Sequence, residues 1–147
     1  IYLYEVESKK LDRLTRGKAD ESVPSWSPDG SRIAFFSNRQ PDADRIPFSQ
    51  LFVAEAKPGA TEKAVTPTTS NGGGGAPQWS PDGKWLAFIE NDEQKFSAYN
   101  LPRLALVMAD GSGAPSKFKA SEDLDRGVSN ARFTPDGKSI TFLVTDN

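Results

Sequence analysis

The chain contains no histidine and no cysteine among its 147 residues, and a single methionine. Without histidine it lacks the commonest general base, metal ligand and proton shuttle near neutral pH. Without cysteine it can form neither a disulfide framework nor a thiolate metal site, and its redox compartment stays open between cytoplasm and periplasm. No Gly-x-Ser-x-Gly elbow is present to raise a nucleophile. No apolar run approaches the roughly 20 residues that cross a bilayer. The charges nearly cancel, 18 basic residues against 20 acidic, so no basic field exists to hold nucleic acid or an anionic membrane. These absences predict a soluble chain with no cofactor and no catalysis of its own. The sequence opens at Ile1, inside an apolar alternation and without an initiator Met or a signal peptide, which reads as a segment of something longer.

What is present is a repeat. Trp26-Ser27-Pro28-Asp29-Gly30 returns as Trp79-Ser80-Pro81-Asp82-Gly83 and, weakened, as Phe133-Thr134-Pro135-Asp136-Gly137. Self-similarity at a period of about 50 residues marks a repeat architecture. Each copy runs into an apolar segment: Arg32-Ile33-Ala34-Phe35-Phe36, Trp85-Leu86-Ala87-Phe88-Ile89 and Ser139-Ile140-Thr141-Phe142-Leu143. Pro suits the second position of a type I turn, Asp tolerates the third, and Gly supplies the positive φ from which a hairpin resumes.

Around each turn lie four short runs with strand character. The first whole unit is predicted over 23–66, with strands at Val23–Ser27, Arg32–Ser37, Leu51–Ala56 and Glu62–Thr66. The second spans 76–120, with strands at Ala76–Ser80, Trp85–Glu90, Leu104–Ala109 and Ser116–Ala120. Residues 1–16 resemble the last two strands of a unit, and 128–147 the first two. Second and third strands are apolar at consecutive positions, as when both faces of a sheet are covered. Fourth strands are polar, as at a defended edge. The expected fold class is all-β: a β-propeller fragment of four-stranded antiparallel blades, two complete and two half. The long connections, 38–50, 91–103, 67–75 and 121–127, should share one face, where a binding surface is expected.

The Trp-Ser-Pro-Asp-Gly-Lys/Arg unit, preceded by a Leu-Thr edge, resembles the propeller repeats of TolB and of the prolyl oligopeptidase family, within the wider WD40-like architecture. The resemblance covers essentially the whole chain. Its long period and 13-residue inserts, and the run from Arg126-Gly127-Val128 to Phe142-Leu143-Val144-Thr145-Asp146, resemble the acylaminoacyl-peptidase-like branch. That resemblance implies a parent serine peptidase. There the propeller restricts access to an α/β-hydrolase domain, which carries the triad. No triad motif occurs here, so no catalytic residue carries over. The runner-up is a TolB-like propeller that binds a protein or ligand with no enzyme attached.

Candidate contacts lie in the inserts: Arg39, Arg45 and Phe48 in the first, Phe96, Tyr99 and Arg103 in the second, with Lys95 beside them. Guanidinium groups could meet a carboxylate bidentately, and exposed aromatics commonly anchor interfaces. The Pro-Asp-Gly turns are read as hairpin chemistry rather than metal sites. Trp26 and Trp79 are read as packing between blades. Asn71-Gly72-Gly73-Gly74-Gly75 is read as a flexible link, because a phosphate-cradling loop would need a helix to follow it. No residue is assigned to a metal or cofactor. Expected partners are the remainder of the propeller, through the resemblance an α/β-hydrolase domain, and a second copy pairing at the open half blades.

Overall fold

The structure is a computed structural model that describes residues 1–46, 48–91, 101–117, 121 and 123–145. Among these residues the regular structure is antiparallel strand. The strands are β1 (Tyr2–Glu5), β2 (Lys10–Arg13), β3 (Glu21–Trp26), β4 (Arg32–Ser37), β5 (Gln50–Glu55), β6 (Lys63–Ala64), β7 (Gln78–Trp79), β8 (Trp85–Asn91), β9 (Pro102–Met108), β10 (Ser116–Lys117), β11 (Val128–Phe133) and β12 (Ile140–Val144). They form four meanders: β1-β2, β3-β4-β5-β6, β7-β8-β9-β10 and β11-β12. The chain is an all-β propeller fragment.

The apolar second and third strands occupy the middle of each whole sheet. In β4 every residue from Ile33 to Ser37 is buried, and in β8 every residue from Leu86 to Glu90. Alternate side chains serve opposite neighbours. Ile33 and Phe35 join Leu14, Phe52 and Ala54 in a cluster that reaches Ile1 and Leu3 of the first sheet. Ala34 and Phe36 turn the other way and meet Trp79, Leu86 and Phe88 of the third sheet. Ala87 and Ile89 then pack with Leu104, Val128 and Ala131, against Ile140 and Phe142 of the fourth. The core is three inter-sheet layers, and each whole sheet contributes to two of them.

The three turns are a repeated hydrogen-bond circuit. Ser27 N–H bonds Arg32 O at 2.9 Å and Gly30 N–H bonds Ser27 O at 2.9 Å. The Ser27 hydroxyl donates to Asp29 Oδ1 at 2.6 Å and accepts from Arg32 N–H at 2.9 Å. Ser80 with Asp82 repeats this, and Thr134 with Asp136 does so through the threonine hydroxyl at 2.6 Å. Threonine preserves the chemistry of the weakened third copy. Gly30, Gly83 and Gly137 have φ of 70°, 69° and 70°, the left-handed region that Cβ disfavours.

Candidate functional site

The first strands carry a feature that no turn rule predicts. Register shifts between Ser22 and Ser25 in β3, and between Ser129 and Arg132 in β11. At the shifts sit Val23 and Asn130, with φ of 44° and 53°, each three residues before the aromatic that opens the turn. Bulges of this kind bend a strand and redirect its side chains. Beside the second of them, β7, β8 and β11 enclose a cavity of about 320 Å³ whose lining includes Gly75, Gln78, Phe88, Ser129, Asn130 and Arg132. Arg132 reaches Gln78 Oε1 at 3.4 Å. The wall therefore combines an apolar floor with amide, hydroxyl and guanidinium groups. It can hydrogen-bond an uncharged or anionic polar ligand.

The Gly-rich link beside this cavity is fastened, which corrects the expectation of a flexible connector. Gly72 N–H bonds Ser49 O at 3.0 Å, Gly73 N–H bonds Ile89 O at 3.1 Å and Asn91 N–H bonds Asn71 O at 3.0 Å. The Ser70 hydroxyl donates to buried Glu90 at 2.6 Å. A Cβ on Gly72 would lie 2.2 Å from Cε1 of Phe36. Glycine is present there because a side chain would collide with a buried ring.

Arg39 bonds Glu62, approaches Glu21 at 3.9 Å and lies 3.9 Å over the Phe52 ring. Glu21 is half-buried and also accepts from the Thr15 hydroxyl at 2.9 Å. Arg103 donates to the carbonyl oxygens of Ser121, Leu124 and Arg126, closing the link between the third and fourth sheets. Both guanidinium groups thus serve internal bonds. Arg45 is exposed in the turn at 41–45, and Phe48 is half-buried. Phe96, Tyr99 and Lys95 lie outside the described residues. Sequence reasoning missed Asn130, Arg132 and Gln78, although the alignment of Asn130 with Val23 before each turn marked the bulge position.

Aspartates at the opposite, short-turn end are held as anions. The Ser27 hydroxyl, with Ser31, lowers the Asp29 carboxyl to about 2. Asp82 is lowered by Ser80 and Lys84 N–H, Asp110 by Ser112, and Asp136 by Thr134 and Lys138 N–H. Among the described residues no cluster of three or more acidic side chains is placed to hold a metal ion. No described helix is long and apolar enough to cross a membrane.

The two tryptophans that open turns, Trp26 and Trp79, differ in burial. Trp79 is 8% exposed and its Nε1 donates to Ser25 O at 3.1 Å, with Arg32 stacked 4.8 Å above the ring. Trp26 holds the same repeat position, yet it is 55% exposed. The expectation of inter-blade packing is met by Trp79 and not by Trp26. The physical reason is that the sheet before Trp26 has only two strands and lacks the first strand that would face the indole.

Four radiating antiparallel meanders with a recurring Ser/Thr-Pro-Asp-Gly hairpin define a β-propeller of the TolB type. The chain belongs to the TolB beta propeller domain family, whose pattern it matches over residues 1–112. It is 30% identical over 122 residues to the uncharacterized peptidase YuxL of Bacillus subtilis (strain 168), which covers 83% of this chain and 17% of that protein. It is 30% identical over 83 residues to the Tol-Pal system protein TolB of Alcanivorax borkumensis, 56% of this chain and 17% of that one. The chain thus spans about a sixth of each relative's length. Among solved structures, putative TolB from Agrobacterium tumefaciens superposes with a TM-score of 0.69 at 20% identity, over 96% of this chain and 45% of that one. TolB from Acinetobacter baumannii does so at 0.65 and 22%, over 96% and 31%. An AtxE2 isopeptidase variant superposes at 0.55 and 20%, over 82% and 20%. These likenesses establish the fold.

Proposed function

We propose that this chain is a non-catalytic propeller segment of a larger serine peptidase resembling the prolyl oligopeptidase family, with a structural and substrate-gating role. The observation that carries the reading is the 30% identity over 83% of this chain to a protein named as a peptidase, of which the chain matches 17%. Most of such a parent is left to house a hydrolase domain. The residue inventory agrees, since no histidine or cysteine is available to activate a nucleophile. In this reading the loop end faces the hydrolase domain. Arg45 and Phe48 are the described insert residues placed to meet it, with Phe96 and Tyr99 as candidates in the second insert. Arg39 and Arg103 hold the loop ends in shape.

Treating the full-length gene product with a fluorophosphonate probe, which labels an activated serine, tests this. Labelling is expected, at a serine outside residues 1–147, while the 147-residue chain alone stays unlabelled and hydrolyses no peptide or ester. A labelled serine within the chain would overturn the reading. Absence of label on the full product would favour the second reading, a TolB-like binding module with no enzyme attached. The family match over residues 1–112 supports that alternative.

A further inference from the structure

The cavity beside the second bulge carries polar groups that the fold itself does not require. Its walls are β7 and β8 of the third sheet and β11 of the fourth, away from the first and last strands. Counting back from the aromatic that opens each turn aligns Ser129, Asn130 and Arg132 with Ser22, Val23 and Ser25. The second sheet therefore builds the same bulge, with the same positive φ at its centre, from valine and two serines. An amide and a guanidinium at the fourth sheet answer no demand of backbone geometry.

Each of these groups has bonding capacity left over. The Arg132 guanidinium carries five N–H donors and makes one long bond, 3.4 Å to Gln78 Oε1. It has no carboxylate partner, and the Ser129 hydroxyl and Asn130 amide have no hydrogen-bond partner, among the described residues. The N–H groups of Gly74 and Gly75 meet no acceptor there either. A Cβ on Gly75 would find nothing within 4 Å, so the space beside that backbone is open. The floor includes the buried Ala87 and Ile89. No aspartate or glutamate is among the described residues that line the cavity.

This donor set selects its ligand by charge. One guanidinium without an acidic neighbour matches one negative charge, whereas a phosphate monoester carries close to two. A free α-ammonium would be buried there without a carboxylate to pair it. What fits is a single carboxylate joined to an amide and a short apolar group. The volume of about 320 Å³ lies at the small end of the roughly 300–1,000 Å³ of ligand pockets.

We propose that this cavity binds the C-terminal residue of a peptide whose last side chain is apolar. Arg132 takes the carboxylate through two parallel N–H donors, giving up the long bond to Gln78. Asn130, Gln78 and Ser129 serve the last amide, and Ala87 and Ile89 receive the side chain. The assignment holds whether the parent is a peptidase or a binding module.

Calorimetric titration of the full-length gene product with N-acetyl-Gly-Leu tests it, after fluorophosphonate treatment so that no activated serine turns the peptide over. One site with a Kd of about 1 mM or tighter is expected for a ligand of this size. The C-terminal amide of the same peptide, and free leucine, should each bind at least about tenfold more weakly. Arg132→Gln should weaken N-acetyl-Gly-Leu by about 10- to 100-fold and Arg132→Lys by less, with the thermal midpoint unchanged because the side chain is exposed. Asn130→Gly, which tolerates the positive φ, should weaken it by about threefold or more. Inorganic phosphate should not displace the peptide. Undiminished binding in Arg132→Gln would overturn the proposal, since the peptide would then sit elsewhere. So would an amide that binds as well as the acid, displacement by phosphate, or no binding at millimolar peptide. Labelling by the fluorophosphonate reports on the peptidase reading and the titration on this one, so either can fail alone.

Discussion

Trp79 Nε1 donates to the carbonyl oxygen of Ser25 at 3.1 Å, tying the first strand of one sheet to the first strand of the sheet before it. The ring is buried against Ala34, Phe36 and Leu86 in the layer between the two sheets. Replacing Trp79 with Ala should destabilise the chain by about 3–5 kcal/mol, the range for large buried aromatics. Trp79→Phe should cost less, retaining most of the bulk and losing the N–H donor. Trp26→Ala, at the same repeat position but exposed, should cost under about 1 kcal/mol in the monomeric chain. Denaturant midpoints of the three variants provide the check.

The turn aspartates make stability depend on acid. Asp29 has its carboxyl lowered to about 2 from 3.8, first by the Ser27 hydroxyl. A depressed folded value means that the unfolded state takes up the proton first. The contribution is therefore present above about pH 4 and is lost as pH falls through the folded value near 2. Carboxyl NMR titration should find Asp29 well below an ordinary aspartate, and Ser27→Ala should move it back up. An Asp29 that titrates near 3.8 in the unaltered chain would contradict the bonding described.

Gly72 and Gly73 are neighbours with opposite expectations. A methyl group on Gly72 meets the Phe36 ring at 2.2 Å, and that ring is itself buried beside Phe88, with centroids 6.1 Å apart. Gly72→Ala should cost about 1–3 kcal/mol through overpacking. At Gly73 nothing lies within 4 Å of the added atom, and Gly73→Ala should change stability by no more than about 0.5 kcal/mol. Thermal melts distinguish the two.

Val23 is a β-branched residue at φ 44° and is 40% exposed. That conformation costs a non-glycine residue on the order of 1–3 kcal/mol, and little burial repays it here. Val23→Asn, copying the residue at the equivalent bulge in β11, should stabilise the chain by about 1 kcal/mol. A loss of stability would mean that Val23 packs more tightly than its exposure implies.

Much of the fold was legible in the residues because three turn copies, followed by apolar runs in phase, left few ways to arrange the strands. The turn circuit could be anticipated from Pro, Asp and Gly at set positions. The exposed Trp26 could not, because a residue's burial depends on a neighbouring sheet, and local pattern does not report which strands that neighbour lacks. The Gly-rich link misled for a related reason. Its composition signals freedom, while its role is close passage beside Phe36. Bulges at Val23 and Asn130 break the very alternation by which strands are read. Arg39 and Arg103 look available on a loop, and only geometry reveals the Glu62 carboxylate and the carbonyl cluster that hold them.

Each of the three apolar layers is built from adjacent sheets. Cohesion accordingly travels step by step along the array, much as in stacked solenoids, and the interior sheets have twice the support of the terminal ones. Amide exchange should be slowest in β4, β5, β8 and β9 and fastest in the outer hairpins. Gain or loss of a whole 50-odd-residue module would then require only that the two newly adjoining surfaces match, leaving every other layer undisturbed.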